Sequence, residues 1–511
     1  MQHRSTDRAT STSPGNLLGG GLQRRTESPG NSTRGSSIQS LIAKFILQYK
    51  PGQGVKIHEP MRGTYNVFYP LTYEDGTSVG LRVPCEGESL FTFLTSTQFR
   101  TTLVDFLEEK IYYEVGMMRY VSANTTIPIP KIYHHGVAAE NTVGLGPFII
   151  MDCLEHEMDM SDVLDNLDSE MSNMQALDNI SGRKLDHLYR QMANILLQLS
   201  HLSFHRIGSL TEDTDDHFTV SSRPLIPLMN ALARRIGADS EVLPSCTYST
   251  SKEWYCALAD MHLTQLICQS NNNIINEDDA RDRYVARLLF RMLAYDGRLT
   301  SALGEEEDSP TFRIYSEDLR PANVLLDKDF NVSGVIDWEF AYVAPAAFSF
   351  DPPWWLLLGK PEDWPGGYEG WMKSYEPRLR LFLRVLEEEE SKTQGIPTEE
   401  PPRAGPSTPL SQRMRRSWES KTWMINYAAR NDRAFDYLYW KYLDSRFFGP
   451  NENQNHRARL SLFTKKEIEM IESFVKSKMK KDEEDQDYIE LAEGRVADLL
   501  AEFSVPRKET R

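Results

Sequence analysis

The chain has 511 residues, 40% of them hydrophobic, enough to bury a large core and, by length alone, to build roughly two to four units. Its formal net charge of −17 is the opposite of the basic footprint a general nucleic-acid binder carries. Five scattered cysteines, no paired Cys spacing and no long apolar run argue against a disulfide framework and a membrane-spanning helix, and lead to the expectation of a reducing, cytoplasmic setting.

Residues 1–37 are rich in Ser, Thr, Gly and Arg, with Gly19, Gly20 and Gly21 in a row, and read as a disordered tail. The Arg-rich, acid-poor start admits a targeting presequence, but Pro14, Pro29 and the glycines oppose the amphipathic helix one needs. Residues 38–153 read as a β-rich lobe. Leu41, Ile42, Phe45 and Ile46 have helical spacing up to Pro51. Short strands follow at 55–57, 67–71 and 79–83, with turns at Arg62-Gly63 and Asp75-Gly76; the Asp-Gly pair is a hairpin signal. Residues 101–122 set Leu103, Phe106, Leu107, Ile111, Tyr112, Val115 and Met118 on one helical face. Strands are expected from Ile132 and over 147–152, the second running into a polar crossover at Asp152, Cys153 and Leu154.

Residues 154–478 read as a mainly helical lobe. It opens on an acidic, Met-rich stretch at 155–175, followed by strong helical periodicity from Leu185 to Leu202. Further helices are expected at 255–268, 284–293, 414–438 and 460–475. His201, His205 and His217 come with no partners that would complete a metal site. The Pro-rich, charged stretch 387–411 reads as a surface insertion and the charged residues 479–511 as a tail. Asp351 before Pro352 is placed like a helix N-cap, and Trp354 and Trp355 read as core residues.

The chemistry concentrates at 315–340. Val324-Leu325-Leu326 and Val332 to Ile336 flank the polar turn Asp327-Lys328-Asp329, which predicts a buried hairpin. Such a hairpin returns Asp337 beside Asn323, with Asp318 close by, and so gathers hard oxygen ligands that suit magnesium. An Asp-x-x-x-x-Asn spacing followed by an Asp beyond a hairpin is the order phosphoryl transfer uses in protein kinases. Alone, the Asp-x-x-x-x-Asn spacing is common by chance, and its residues then merely cap turns.

The run Ser316-Glu317-Asp318-Leu319-Arg320-Pro321-Ala322-Asn323, followed by Ile336-Asp337-Trp338-Glu339, resembles the aminoglycoside phosphotransferase (phosphotransferase enzyme) family, especially its fungal branch. That family shows His-x-Asp-Leu-x-Pro-x-Asn and then Ile-Asp-Trp-Glu. The resemblance implies an α+β, two-lobed protein-kinase-like fold, a small antiparallel β lobe joined to a larger mainly helical lobe, with ATP and Mg²⁺ in the cleft between them. It implies Asp318 as catalytic base and Asn323 and Asp337 as metal ligands. Gly63 and Thr64 fall where the family covers the phosphates, although an ordinary hairpin turn is the alternative there. Arg82 stands where kinases carry a phosphate-contacting lysine. Glu114 is its implied partner on the following helix, with Glu108 and Glu109 competing for that role. Asp152 and Cys153 would lie at the crossover beside adenine, and the resemblance implies a structural role for Asp351, bracing the catalytic loop from below. The implied acceptor is a hydroxyl of an unidentified small molecule, with no nucleic acid, membrane or obligate protein partner. Ser316 at the usual His, Ala322 at the usual Gly and Arg82 at the usual Lys support the alternative of a catalytically impaired, pseudokinase-like nucleotide-binding or scaffold protein.

Overall fold

The computed structural model describes residues 32–63, 65–84, 104–171, 180–213, 217–236, 240–269, 274–304, 312–393 and 408–479. Residues 480–511 of the expected C-terminal tail lie outside them, as does all of the expected N-terminal tail before Ser32. Among the described residues no helix is long and apolar enough to cross a membrane.

The first lobe is built on α1 (Ser32–Tyr49) and the strands β1 (Gly54–Ile57), β2 (Met61–Arg62), β3 (Asn66–Tyr73) and β4 (Ser78–Pro84). It is completed by α2 (Val104–Asn124), β5 (Ile132–Gly136) and β6 (Phe148–Asp152). The sheet is antiparallel throughout, in the order β1-β3-β4-β6-β5, with β2 on the edge of β3. Among the described residues this lobe has six strands and two helices; both helices and five of the strands lie where the sequence places them, although Tyr112, expected on the apolar face of α2, is 49% exposed. The two-residue strand β2 was too short to signal itself, and α1 begins at Ser32, inside the stretch expected to be tail.

Side-chain alternation decides what this sheet offers to the rest of the molecule. Val79, Leu81 and Val83 of β4, Val67, Tyr69 and Leu71 of β3, and Phe148 and Ile150 of β6 pack with Ile42, Phe45 and Ile46 of α1. With a period of two, Arg82 must then leave the opposite face of β4, away from α1. Ile149 and Met151 of β6 likewise join the second and larger core.

That core belongs to the second lobe. The chain crosses to it through β7 (Met158–Asp159), α3 (Met160–Met171) and α4 (Ile180–His201). The expected helical face of α4 is buried, with Leu185, Leu188 and Met192 inaccessible. Short strands follow: β8 (Ser203–Phe204) and the hairpin β9 (Ser209–Glu212) and β10 (Phe218–Ser222). Helices α5 (Pro227–Ile236), α6 (Ser251–Cys268) and α7 (Glu277–Tyr295) lead to β11 (Phe312–Ser316), β12 (Val324–Leu326), β13 (Val332–Val335) and β14 (Ala341–Pro345). The remaining helices used here are α8 (Gly367–Thr393), α9 (Leu410–Ser420), α10 (Trp423–Arg430) and α11 (Lys465–Met479). Residues 387–393 of the expected insertion continue α8, and 394–407 lie outside the described residues. A small antiparallel lobe, a single crossover and a larger helical lobe make this a kinase-like α+β fold.

The lobes meet through α2. Its Gly116 passes so close to β9 that an added Cβ would sit 2.6 Å from the Leu210 carbonyl oxygen. A backbone obstacle cannot rotate away as a side chain can. Gly116→Ala is expected to destabilise the protein by about 1–3 kcal/mol, read as a lower midpoint in urea unfolding; an unchanged midpoint would mean α2 can shift freely on the second lobe.

Candidate functional site

The predicted hairpin is present as β12 and β13, paired antiparallel from Val324 opposite Val335. Its third strand is β7, so the crossover between the lobes is itself hydrogen-bonded to β12. Helix α4 clamps the hairpin's turn: Gln191 Nε2 donates to the Phe330 carbonyl at 2.8 Å, and Val332 N donates to Gln191 Oε1 at 2.6 Å. Beyond β13, Ile336 N donates to the Asn323 carbonyl at 2.9 Å, and this returns Asp337 to Asn323. Asp337 adopts a φ of 64°, the left-handed region that Asp enters more readily than most residues. Such a conformation is retained where surrounding contacts over-determine it, and it marks functional loops.

The loop from β11 to β12 carries Asp318. Asn323 Nδ2 donates to its carboxylate at 3.0 Å and to its carbonyl at 2.9 Å. Arg320 Nε donates to Asp318 Oδ1 at 2.7 Å. Arg320 was missed by the sequence reading; its signal was a cation two residues past the candidate base. Ser316, in the usual His position, accepts from Asp318 N at 3.3 Å. A larger brace comes from the opposite side of the loop. Arg430 at the end of α10 bonds the Tyr315 hydroxyl, lies 3.2 Å from Glu317 and 3.7 Å from Asp351, and Ser417 donates to Asp351 at 2.7 Å. Burial pushes Glu317 upward and Asp351 to about 6, against the pull of Arg430. Asp351 is thus a brace, in line with the structural role the resemblance implies, and not an N-cap: the short helix beyond it starts after Pro353 and has no side-chain cap. The reason is that its carboxylate is spent on Ser417 and Arg430. Trp355 is buried as expected, and Trp354 is half-buried. A cavity of about 80 Å³ lies against Ser316 and Leu319, with Trp354 and Trp418 among its walls.

Across the cleft, Arg82 ion-pairs with Glu114, donates from Nη2 to Asp337 Oδ1 at 2.7 Å, and lies 3.6 Å from Glu339 Oε2. Of the three competing acids on α2, Glu114 is the one that meets Arg82. Glu109 is held by Arg223 at 2.8 Å and Glu108 accepts from Ala138 N at 3.0 Å. Lys110, missed by the sequence reading although it stands one helical turn before Glu114, pairs with Glu339 at 3.1 Å. Arg82, Glu114, Lys110 and Glu339 are all at most 5% exposed. Burial drives Asp337 up to about 8, and Glu339, Asp318 and Glu114 add to this against Arg82. Glu114 is also pushed up by burial, whereas Glu339 is held low by Lys110 and Arg82 despite its burial. The cluster therefore carries more acid than it can neutralise.

The remaining candidates divide. Gly63 N donates to the Asn66 carbonyl at 2.9 Å, closing the turn between β2 and β3, and a Cβ there would meet nothing nearer than 3.7 Å. The turn's shape thus does not require glycine. Thr64 lies outside the described residues. Asp152 and Cys153 are at the crossover, but their N–H groups are spent on the carbonyls of Lys131 and Ser78, both at 2.9 Å. The next N–H along the crossover is that of Leu154. The Asp152 carboxylate accepts from the Tyr133 hydroxyl at 2.8 Å.

The donor set fits magnesium. Asn323, with its amide nitrogen turned to Asp318, keeps an amide oxygen, and Asp337 keeps a carboxylate oxygen not taken by Arg82. Among the described residues no cluster of three or more His, Cys, Asp or Glu forms a closed metal cage. Magnesium tolerates this, since it fills its octahedron with waters and substrate phosphates.

A model of the phosphotransferase enzyme family matches residues 251–386, the segment containing Asp318, Asn323 and Asp337. The Clavilactone A biosynthesis cluster protein Y of Ampulloclitocybe clavipes is 28% identical over 304 residues, 58% of this chain and 63% of that protein; the match spans less than two thirds of the relative's length. Among solved structures, the macrolide 2'-phosphotransferase of Brachybacterium faecium is 12% identical with a TM-score of 0.35, covering 78% of this chain and 97% of that one. The Plasmodium vivax ethanolamine kinase is 10% identical with a TM-score of 0.35, covering 94% and 96%.

Removing Arg82 leaves several buried carboxylates facing Lys110 alone. Arg82→Met is expected to cost about 3–5 kcal/mol, seen in urea denaturation; wild-type stability in that variant would mean the carboxylates are balanced without Arg82. Asp337 has a second signature. Its folded pKa lies above its unfolded value, so the folded state holds a proton that the unfolded chain releases between about pH 4 and about pH 8. Stability is therefore lost as pH rises through that window. Ligand-free wild type should lose stability relative to Asp337→Asn, which does not titrate, across a pH series of urea melts. A constant difference between the two would mean that Asp337 is already ionised in the folded protein across this window.

Proposed function

We propose that this chain, which resembles the phosphotransferase enzyme family, transfers the γ-phosphoryl group of ATP to a hydroxyl of a small molecule. The observation that carries the reading is the meeting, in one interlobe cleft, of Asp318, Asn323 and Asp337 with the Arg82–Glu114 pair. These parts come from β4, α2 and the remote hairpin segment, and turn-capping within the hairpin would not require Arg82 and Glu114 to converge on it.

In this reading ATP lies between the lobes with its phosphates near Arg82, an always-charged donor suited to phosphate oxygens. Asn323 and Asp337 would hold Mg²⁺, whose charge offsets that of the phosphates. Asp318 orients the acceptor hydroxyl and takes its proton as the oxygen bonds to the γ-phosphorus and the bond to the bridging oxygen of ADP breaks. Arg320 and Asn323 hold the Asp318 carboxylate in one orientation beforehand, and catalysis is chiefly positioning and charge neutralisation. The free thiols of Cys153, Cys246, Cys256 and Cys268 accord with a reducing, cytoplasmic setting.

The reading of a catalytically impaired protein drew on Ser316 in place of His. The brace that Arg430 gives through Glu317, Tyr315 and Asp351 supplies loop support by another route, which favours the enzyme. Asp318→Ala separates the two. Phosphoryl transfer, followed with a panel of hydroxyl compounds, should fall about 10²–10⁴-fold while Mg-ATP binding survives. Turnover equal to wild type would remove Asp318 as the base, and wild type that binds no Mg-ATP would sink the phosphotransferase reading.

A further inference from the structure

We propose that Glu339, Lys110 and Asn66 form a latch that sets the β2–β3 loop over the nucleotide phosphates, with Glu339 as a positioning residue. The inference rests on the phosphotransferase reading, which does not itself use these three residues.

Glu339 stands two residues beyond Asp337, and its side chain is 2% exposed. Its Oε2 accepts from Asn66 Nδ2 and from Lys110 Nζ, both at 3.1 Å. Each contact comes from a different part of the site. Asn66 begins β3 at the edge of the loop, Lys110 lies on α2, and Glu339 belongs to the segment after the hairpin. The neighbouring side chains repeat the same junction. Tyr65 meets Phe340 edge-on, with ring centroids 5.8 Å apart, and Lys110 Nζ lies 5.3 Å from the Tyr65 ring and 5.0 Å from that of Phe340.

Burying a lysine and a glutamate together is costly, and such a pair is weak evidence for a purely stabilising role. Its best-attested use is to specify an arrangement, and here the specified element is the loop. Glycine-rich phosphate loops follow the phosphates with their own backbone N–H groups. This turn has one glycine, Gly63, whose N–H is already committed to Asn66. The loop's position is thus left to side chains. The other amide atom of Asn66, Oδ1, is buried without a hydrogen-bond partner, so the bond to Glu339 is the anchor of that side chain. One helix, α2, then serves both halves of the cleft: Glu114 orients Arg82, and one turn earlier Lys110 holds Glu339 in place for Asn66.

The test uses the full chain and the variants Asn66→Ala and Asn66→Asp. Both leave the Lys110–Glu339 pair intact, and the second sets a like charge opposite Glu339. Amide hydrogen exchange over residues 61–69 of the ligand-free protein should quicken about tenfold in Asn66→Ala, and more in Asn66→Asp, with α2 unchanged. Calorimetry should show affinity for a non-hydrolysable Mg-ATP analogue reduced about tenfold, while adenosine, which has no phosphates, binds as in wild type. Unchanged exchange over 61–69 overturns the latch. Equal weakening of the analogue and adenosine also overturns it, because a merely structural role would act on both. A wild type that binds neither compound overturns the phosphotransferase reading, and hydrogen exchange alone then decides the latch.

Discussion

The structure of the cleft depends on one buried guanidinium. Arg82 is 5% exposed, with carboxylates of Glu114, Asp337 and Glu339 around it. Stripping a charge of water costs several kcal/mol, so Arg82 is stable there only while α2 and the segment after the hairpin both close on it. That requirement couples the lobes. The sheet contributes the cation, α2 one anion, and the second lobe two more. An arginine suits the position better than a lysine would, because its planar fork can face two acids at once and cannot shed its proton.

The second lobe's part is to hold acids in a fixed array, and it does so redundantly. Gln191 grips the hairpin turn, the Ile336 N–H closes on the Asn323 carbonyl, and Arg430 with Asp351 supports the loop that carries Asp318. The left-handed backbone at Asp337 is tolerable within such a frame and would relax in an isolated hairpin. Rigidity here has a chemical reason: acids crowded into a cleft push one another apart unless each is tied to a donor or keeps its proton, as Asp337 does. In the proposed function the surplus acid would favour a divalent cation between Asn323 and Asp337.

Much of this was legible in local pattern. The alternation in β3, β4 and β6 and the helical face of α4 follow from side-chain period alone. The hairpin was readable because two β-branched, leucine-rich runs flank an Asp-Lys-Asp turn, and Asp318, Asn323 and Asp337 are tied to it by short spacing. Arg430 was not readable in this way. It lies more than a hundred residues from Glu317, and nothing in its own helix marks it as a brace for the loop. Lys110 carried a fair signal, four residues before Glu114, but on a helix rich in Glu any cation reads as an ordinary solvated one. Asp351 has the spacing of an N-cap, and the resemblance implies a brace; its partners in that role, Ser417 and Arg430, are ones that only packing supplies.

The sequence by itself determined the element types, the alternating face from which Arg82 projects, and the compact set of oxygen-bearing side chains around the hairpin. All of these are set by neighbours within a few residues along the chain, where periodicity and turn chemistry act. Tertiary structure decided the charge pairing: Glu114 and not Glu108 or Glu109 for Arg82, Lys110 for Glu339, and Asn66 for the same carboxylate across 273 positions. Buried charges must find partners wherever the fold brings them. That selection is made by desolvation in three dimensions, and spacing along the chain carries no trace of it.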